Sequence, residues 1–346
     1  MKPKIISLFT GAGGIDIGFK NAGFQTVFAT DISDRACESF KANHPTTDVK
    51  VSDIQDIDFE SIRRTHKNIS GIVGGPPCPA FSKSRFYRKE KQRGLDDEIG
   101  ILTVSMYFKA LEVFEPKFFF FENVHGFIYK PHASALEFVK SESERIGYRI
   151  TYSVVNAADY GVPQTRERFI CVGVKKGEKQ FVWPTPTHFP PDEQGLISQR
   201  WVTAGDAIND LDVPLTEDSK MVAGSKHKEL LKLVPPGDNY LYFTEERGHP
   251  TPVFKWRSRY WSFLLKLSPN RPSWTIQASH SNNMGPFHWR NRFLRISEIK
   301  RLQSFPDDYR IIGNYREQWR QVGNAVPPKL AEVFATALRD QYFTER

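Results

Sequence analysis

The sequence is poor in cysteine, with three in 346 residues, at positions 37, 78 and 171. Three scattered cysteines cannot build a disulfide framework or a zinc ribbon, so we expect a reducing compartment and no metal site. No apolar run approaches the roughly 20 residues that cross a bilayer. The N-terminus also lacks the apolar stretch of a secretion signal. We therefore expect a soluble, cytoplasmic protein without membrane contact.

Length and charge narrow the remaining classes. At about 150 residues per domain, the chain corresponds to roughly 2.3 domains, which allows two domains or one large domain with an insertion. Charged residues are 25% and hydrophobic residues 39% of the chain, so neither a disordered tail nor a fibre fits. Lysine and arginine exceed aspartate and glutamate by 48 to 40. The resulting charge of +8 favours a polyanionic partner without establishing one.

The first half of the chain alternates short β-rich runs with amphipathic stretches, which indicates βα units around a mostly parallel sheet. Four consecutive phenylalanines at 118–121 predict a central strand buried on both faces. The predicted strands are 4–9, 25–30, 49–51, 71–74, 118–122, 149–155 and 168–174. Helices are predicted from the first glycine turn through residue 22 and over 34–43.

The composition changes at about residue 182, where prolines cluster and the alternation stops, which predicts a domain boundary. The segment that follows, to about residue 292, mixes aromatic, basic and amide residues without helical or strand periodicity. Beyond it, residues 324–342 have an apolar stripe that predicts an amphipathic helix.

A glycine-rich turn, FTGAGG at 9–14, joins the first predicted strand to its helix. Its free N–H groups lie where a cofactor of the adenine-nucleotide type can approach closely. Asp31, at the end of the second strand, stands where such folds place a carboxylate for ribose hydroxyls, and Asp53 follows the third strand. A tight turn without a ligand is the alternative for the glycines alone, and the two carboxylates favour the cofactor site.

Two further positions indicate chemistry. Cys78 lies in the proline-bracketed loop GGPPCPAFS, where a fixed backbone suits a nucleophilic thiolate. Cys37 and Cys171 lie in helix-like and strand-like runs and are expected to be packing residues. Glu122 ends an otherwise apolar strand, where burial is expected to raise its pKa and let it donate a proton. The run QTRER at 164–168 is by itself also typical of a solvated charged surface.

In chain order, GAGG, Asp31, Asp53, PPCPAFS, ENV, QTRER, RLQSFP and GNAVP resemble the motif series of the C5-cytosine DNA methyltransferases over nearly the whole chain. The resemblance implies an α/β fold with the doubly wound, mostly parallel, Rossmann-like sheet of S-adenosylmethionine-dependent methyltransferases. It implies a catalytic and cofactor-binding domain at 1–183, completed by 310–346. A smaller, irregular target-recognition domain is implied at 184–309.

The resemblance also implies roles for single residues. Cys78 would add to cytosine C6, and Glu122 would engage N3 and the exocyclic amine. Arg168, together with Arg166, would contact O2 and the adjacent phosphate. The sequence does not identify the base that removes the C5 proton. The residues implied to bind S-adenosylmethionine are Phe9, Gly11, Gly13, Gly14, Asp31, Ile32, Asp53, Ile54, Leu102, Asn324 and Val326.

The implied partner is double-stranded DNA. Cytosine C6 is inaccessible in a stacked duplex, so the base has to be flipped out. The basic loop after Cys78 is expected to close on the DNA, with a solvated basic loop as the alternative. The segment 184–309 is expected to read groove edges or grip phosphates. The implied DNA-binding residues are Ser82, Ser84, Arg85, Arg257, Arg259, Thr275 and Arg290.

Two residues depart from the family pattern. Ser7 stands where an aspartate commonly opens the first strand, which alters the hydrogen bonding beneath the cofactor, and Pro79 replaces a common glutamine that contacts DNA. The expected setting is a monomeric modification enzyme beside a restriction endonuclease of the same site, without a stable complex. The alternatives are an RNA (tRNA) cytosine methyltransferase, a catalytically inactive DNA-binding homologue, and an NAD-dependent enzyme that the glycine turn alone would suggest.

Overall fold

A computed structural model gives the fold of most of the chain. It describes residues 2–77, 98–129, 133–193, 199–214, 216 and 221–344.

A mixed sheet organises the first half of the described chain. Its seven strands lie in the order β3-β2-β1-β4-β5-β8-β6. They are β1 (Lys4–Leu8), β2 (Gln25–Asp31), β3 (Asp48–Val51), β4 (Ile69–Gly74), β5 (Phe118–Val124), β6 (Tyr148–Asn156) and β8 (Glu167–Lys175). Strands β1 to β5 run parallel to one another, whereas β8 runs antiparallel to both β5 and β6. The fold prediction is confirmed, and the seven strands lie where the sequence predicts them.

Helices cover both faces of the sheet. One face packs against α1 (Gly14–Asn21) and α10 (Pro328–Tyr342), and the other against α4 (Glu98–Phe114) and α5 (Ala133–Arg145). α1 and α10 touch closely because Gly18 has no side chain: a Cβ there would lie 2.5 Å from the backbone of Pro328. The remaining helices of the sheet region are α2 (Asp34–Asn43) and α3 (Phe59–Thr65).

The four phenylalanines of β5 are fully buried. Phe118 and Phe120 point into the cluster beneath α1 and α10, and Phe119 and Phe121 into the cluster beneath α4 and α5. Because strand side chains alternate between faces, one run supplies both cores. This confirms the predicted central strand.

The rest of the described chain has short elements and two apolar clusters of its own. The elements are β7 (Gln164–Thr165), β9 (His188–Phe189), β10 (Gln199–Arg200), α6 (Ala204–Ile208), α7 (Lys228–Leu233), β11 (Ser273–Trp274), α8 (Ile296–Leu302) and α9 (Tyr315–Asn324). One cluster joins α6, α8 and α9 with Ile17 of α1, and the other gathers residues between 223 and 287. The first cluster crosses the predicted boundary at residue 309, and the division into domains stays a prediction.

The predicted helix over 324–342 is wrong in its first turn. α9 ends at Asn324, and α10 begins at Pro328. Pro327 and Pro328 lack N–H groups, and a proline forces the residue before it out of the helical region. Pro327, which precedes Pro328, accordingly has extended backbone with ψ of 124°, and Ala325 is also extended, with ψ of 151°. Val326 therefore lies in a bend between two helices.

Candidate active site

The described residues that the sequence predicts to bind the cofactor, together with Glu122 and Arg168, lie along one edge of the sheet. The carboxyl ends of β1 to β5 meet there, which is where open α/β sheets bind ligands. β8 runs the opposite way, so its first residues reach the same edge, and Arg168 faces Val124 in register. Two groups form along this edge, one around the glycine turn and one around Glu122.

The glycine turn after β1 has three residues with positive φ: Phe9 at 54°, Gly11 at 53° and Gly13 at 83°. The N–H of Gly11 donates to Oδ2 of Asp31 at 2.8 Å. A Cβ at Gly14 would lie 2.2 Å from the carbonyl oxygen of Val326, so only glycine allows the bend after α9 to pack here. The structure thus brings together these residues, which the sequence places far apart.

Asp31, the last residue of β2, belongs to the group around the glycine turn. Its other oxygen, Oδ1, accepts from the N–H of Ser33 at 2.8 Å. Burial raises the pKa of Asp31, and the N–H groups of Ser33 and Gly11 partly oppose that shift. The carboxylate is held in one orientation at the end of β2, where it can accept further hydrogen bonds from a ligand.

The other predicted cofactor residues lie around the same edge. Asp53 accepts from the N–H of Gln55 at 3.0 Å and caps a short 3₁₀ turn that buries Ile54. Leu102 is half-buried on α4, and Asn324 is exposed at the end of α9. Gly11 faces open space, since an added Cβ would meet no atom within 4 Å.

Two aliphatic side chains are exposed at neighbouring strand ends. Ile32 follows β2 and is 69% exposed, and Val51, which ends β3, is 47% exposed. The register pairs Asp31, the residue before Ile32, with Val51, so both aliphatic residues lie at the same end of two neighbouring strands. Val51 was missed from the sequence, where a valine at a strand end carries no signal of its own. Together they offer an apolar surface that a flat ring could cover.

A buried polar network supports the glycine turn from below. Asp16, fully buried on α1, accepts from the hydroxyls of Ser7 at 2.9 Å, Thr10 at 2.8 Å and Thr26 at 2.8 Å. Ser7, which stands where an aspartate is common, therefore donates a hydrogen bond to the carboxylate of Asp16 on α1. Asp16 was missed from the sequence because its hydroxyl partners come from three different elements.

A second support comes from the far end of the chain. The hydroxyl of Tyr309 donates to the carbonyl of Ala12, in the middle of the turn, at 2.6 Å. The same hydroxyl fills the space where Gly13 would carry a Cβ, at 2.7 Å. Tyr309 belongs to the apolar cluster that also contains α8 and α9. The turn is thus fixed by a residue 297 positions away in sequence.

The second group of residues along this edge is built around an ion pair between Glu122 and Arg168. Arg168 Nε lies 2.9 Å from Glu122 Oε1, with side chains 12% and 11% exposed. Burial raises the pKa of Glu122, and the charges of Arg168 and Arg166 oppose part of that rise. A carboxyl group with a raised pKa, held by a guanidinium at a strand end, can exchange a proton with a ligand.

The loop after β4 passes directly over Glu122. A Cβ at Gly75 would lie 2.8 Å from Glu122 Oε2, so glycine leaves room for the carboxylate. Asn123 Nδ2 donates to the carbonyl of Pro76 at 3.4 Å and holds the loop to β5. Cys78, Ser82, Ser84 and Arg85 lie outside the described residues. The described part of the loop ends at Pro77, one residue before Cys78 in sequence.

Arg166 has a different position from Arg168. Its side chain is buried, and its guanidinium donates to the backbone carbonyls of Ile276, Gly323 and Ala325 at 3.0, 2.9 and 3.1 Å. Burial lowers the pKa of Arg166. These contacts join the residue after β7 to the segment after β11 and to the bend before α10.

The described residues predicted to bind DNA lie in the second half of the chain. Arg257 and Arg259 are exposed, with guanidinium carbons 5.7 Å and 5.8 Å from the rings of Trp256 and Phe263. Thr275 Oγ1 donates to the carbonyl of Thr165, three residues before Arg168 in sequence, at 2.8 Å. Arg290 is half-exposed, but its Nε donates to both oxygens of Asp212 at 2.7 Å.

The described residues include neither a cluster of candidate metal ligands nor a candidate membrane-spanning helix. No three His, Cys, Asp or Glu side chains come together there as candidate metal ligands. In the same part of the chain, no helix combines the length and the apolar character needed to span a membrane.

Comparison with known proteins gives one family. The family model described as C-5 cytosine-specific DNA methylase matches residues 3–340. The chain is 36% identical to the Type II methyltransferase M.SacI of Streptomyces achromogenes, over 97% of this chain and 93% of that protein. It is also 36% identical to the Type II methyltransferase M.NgoFVII of Neisseria gonorrhoeae, over 99% of this chain and 88% of that protein.

Solved structures share the fold over nearly the whole chain. An Escherichia coli prophage protein described as a DNA modification methyltransferase superposes with a TM-score of 0.71 at 23% identity, covering 98% of this chain and 99% of that one. The Dnmt2 methyltransferase of Schizosaccharomyces pombe gives a TM-score of 0.65 at 15% identity, covering 99% and 100%.

Proposed function

This chain belongs to the C-5 cytosine-specific DNA methylase family and is a DNA cytosine-5 methyltransferase, and on that premise we propose its substrate form, donor and mechanism. It transfers the methyl group of S-adenosylmethionine to C5 of a cytosine that is flipped out of a specific double-stranded DNA sequence. The reaction passes through a covalent bond between Cys78 and C6. Its setting is the modification half of a restriction–modification system.

The buried Glu122–Arg168 pair beneath the Gly75–Pro77 loop is the observation that carries this proposal. The loop leads into Cys78, which follows its last described residue in sequence, and a planar base entering here meets the carboxyl group of Glu122 at its edge. Glu122 at 9% exposure has little access to water. A buried carboxyl group at this position supports acid catalysis on a ring that is under nucleophilic attack.

The residues then divide the chemistry. The Cys78 thiolate adds to C6, and as the S–C6 bond forms, the ring electron pair moves toward N3. In its protonated form, which burial favours by raising its pKa, Glu122 donates its proton to N3, and Arg168 stabilises the charge at O2 and holds the carboxyl group in place. After C5 has been methylated, a base removes the C5 proton and the S–C6 bond breaks. Arg166 holds the surrounding segments together through its backbone contacts.

The glycine-turn residues fit S-adenosylmethionine. Open space at Gly11 admits a ligand against the backbone, Asp31 offers carboxylate oxygens to a ribose, and Ile32 with Val51 offers an apolar surface to an adenine. Phe9, Gly13, Gly14, Asp53 and Ile54, with Leu102, Asn324 and Val326, complete the proposed binding residues. When bound, the cofactor supplies an electrophilic methyl group for C5.

The surroundings of the reaction belong to the same proposal. Residues 184–309 form the target-recognition domain, and Arg257, Arg259, Thr275 and Arg290 contact the DNA together with Ser82, Ser84 and Arg85. The enzyme works as a cytoplasmic monomer, and an endonuclease of the same site acts without a stable complex.

A labelling experiment tests the proposal. Purified protein is incubated with methyl-labelled S-adenosylmethionine and, in parallel, with mixed-sequence duplex DNA and with tRNA. Label at cytosine C5 in duplex DNA is expected, and bisulfite sequencing of DNA from expressing cells then gives the target sequence. Label in tRNA alone would favour the RNA enzyme, and label in neither would contradict methyl transfer by this chain.

Tyr309 offers a separate test of the cofactor site. In Tyr309→Phe the Ala12 carbonyl loses its buried donor, and a buried group left without its partner costs about 1–3 kcal/mol. We expect the KM for S-adenosylmethionine to rise about tenfold, with kcat and the KM for DNA little changed. Tyr315→Phe is the matched control, because Tyr315 also donates to a carbonyl at 2.6 Å, but to that of Leu294, which is not part of the turn. Equal effects of the two variants would refute a specific role for Tyr309.

A further inference from the structure

The second half of the chain exposes an unusual set of aromatic side chains. Trp256, Trp261 and Trp274 are 39%, 51% and 40% exposed, and they are the exposed tryptophans of the described residues. Tyr260, between two of them, is 58% exposed. Large aromatic side chains gain most from burial, so a group of exposed ones marks a binding surface.

The same region is strongly cationic. Residues 248–297 contain eight lysines and arginines and no aspartate or glutamate. Three of these cations, Lys255, Arg257 and Arg259, alternate with the aromatic residues in the run KWRSRYW, and all seven residues of that run are exposed. Alternating cations and aromatic rings are typical of surfaces that bind nucleic acid strands.

Trp261 and Trp274 form a fixed pair within this surface. Their rings meet edge to face, with centroids 5.4 Å apart and planes at 71°. The Trp261 carbonyl accepts from the Nδ2 of Asn239, a fully buried residue, at 2.8 Å. Trp274 lies on β11, whose partner strand β7 sets its register opposite Thr165. Both indoles are therefore presented by rigid backbone, which lowers the entropy cost of binding a flat ligand.

β11 also connects the tryptophan pair to the segment that leads to Arg168. Thr165 Oγ1 donates to the carbonyl of Ser273 at 3.1 Å, and Thr275 Oγ1 donates to the carbonyl of Thr165 at 2.8 Å. Thr165 is three residues before Arg168, the partner of Glu122. Trp274 is thus held in register with the strand that leads directly into the active site.

We propose that Trp261 and Trp274 form a stacking site for one unstacked nucleobase of the bound DNA, next to the flipped cytosine. This inference rests on the proposed function, because the faces of bases in a closed duplex are covered by their neighbours and become available only where the duplex is opened. Lys255, Arg257 and Arg259 hold the phosphates on either side. A base stacked on an indole contributes to binding whatever its identity, so the site adds affinity without reading sequence.

Binding to a short, mixed-sequence single strand tests the stacking site without requiring methylation. We expect Trp261→Ala and Trp274→Ala each to weaken binding about 5- to 150-fold, and Trp→Phe at either position to retain most of the affinity, since a ring remains. A 2-aminopurine in the strand should lose its protein-induced quenching in the alanine variants. Tyr152→Ala is the matched control, because Tyr152 is 38% exposed and has Lys140 5.7 Å from its ring, away from this surface. Melting temperatures verify that all variants fold.

The outcomes separate the inference from the proposed function. Alanine variants that bind like the unmodified protein, or phenylalanine variants that lose as much affinity as the alanine variants, would overturn the stacking site. Self-association without DNA that disappears in the alanine variants would assign the surface to a second copy of the chain and would also overturn it. A protein that binds the strand through these tryptophans but labels no DNA would contradict the methylation proposal alone.

Discussion

Cys78→Ala is expected to abolish methyl transfer, with turnover falling by at least about 10³-fold, because the side chain that attacks C6 is gone. Without the covalent bond, C5 does not become nucleophilic enough to accept a methyl group. The variant should also fail to form the denaturation-resistant complex with DNA that carries 5-fluorocytosine at the target. Denaturing gel electrophoresis measures that complex, and labelled donor measures turnover.

The other cysteines supply the control. Cys171 is fully buried in β8, and burial raises the pKa of its thiol; the pKa of the buried Cys37 is raised to about 11. Neither thiol ionises readily near neutral pH, so neither can replace Cys78. Cys171→Ala should keep both turnover and the covalent complex, apart from a modest loss of stability. Turnover that survives in Cys78→Ala would rule out the covalent mechanism.

Glu122→Gln is expected to lower kcat by about 10²- to 10⁴-fold, the usual effect of removing a general acid. The amide keeps the size of the side chain and can still hydrogen bond to the base, but it cannot transfer a proton to N3. Single-turnover kinetics measure the loss, and DNA affinity should change far less than kcat. Glu167→Gln is the matched control. Glu167 begins β8 at the same edge of the sheet as Glu122, but it is exposed and pairs with His125 at 2.8 Å. Equal losses in the two variants would remove Glu122 from the chemistry.

Arg168→Met should shift the pH dependence in a defined direction. The positive charge of Arg168 favours the carboxylate and lowers the pKa of Glu122, against the rise that burial causes. Removing the charge raises that pKa further, so the protonated carboxyl group persists to higher pH. The alkaline limb of kcat/KM should therefore move to higher pH while the maximum falls. A limb that stays in place or moves to lower pH would mean that Glu122 is not the titrating acid.

The sequence predicts the sheet well because its strands are local patterns. The four phenylalanines at 118–121 could only be a strand with two buried faces, and that is how β5 packs. The predicted start of the last helix is wrong because the prediction follows the apolar periodicity and disregards the prolines at 327 and 328. The short loop between a strand and its helix also made the glycine turn visible from sequence alone.

The roles of Arg166 and Arg168 could not be separated from sequence. Both stand in QTRER, and a regular strand would place them on the same face. In the structure β7 ends at Thr165 and β8 begins at Glu167, so the strand is interrupted at Arg166. The Arg166 side chain is buried and donates to three backbone carbonyls. Tyr309 was missed for a related reason: its partner, Ala12, is remote in sequence, and only the folded chain brings the two together.

The position of α10 has a consequence for synthesis on the ribosome. The sheet face that contains Ile5, Phe118 and Phe120 is covered by α10, which ends at Tyr342. When β5 leaves the exit tunnel, about 200 residues remain to be translated, and that takes roughly 10–40 seconds at 5–20 residues per second. During this delay the nascent chain exposes an apolar face that its own sequence cannot yet cover, so chaperone demand should be set by translation speed through the second half of the message.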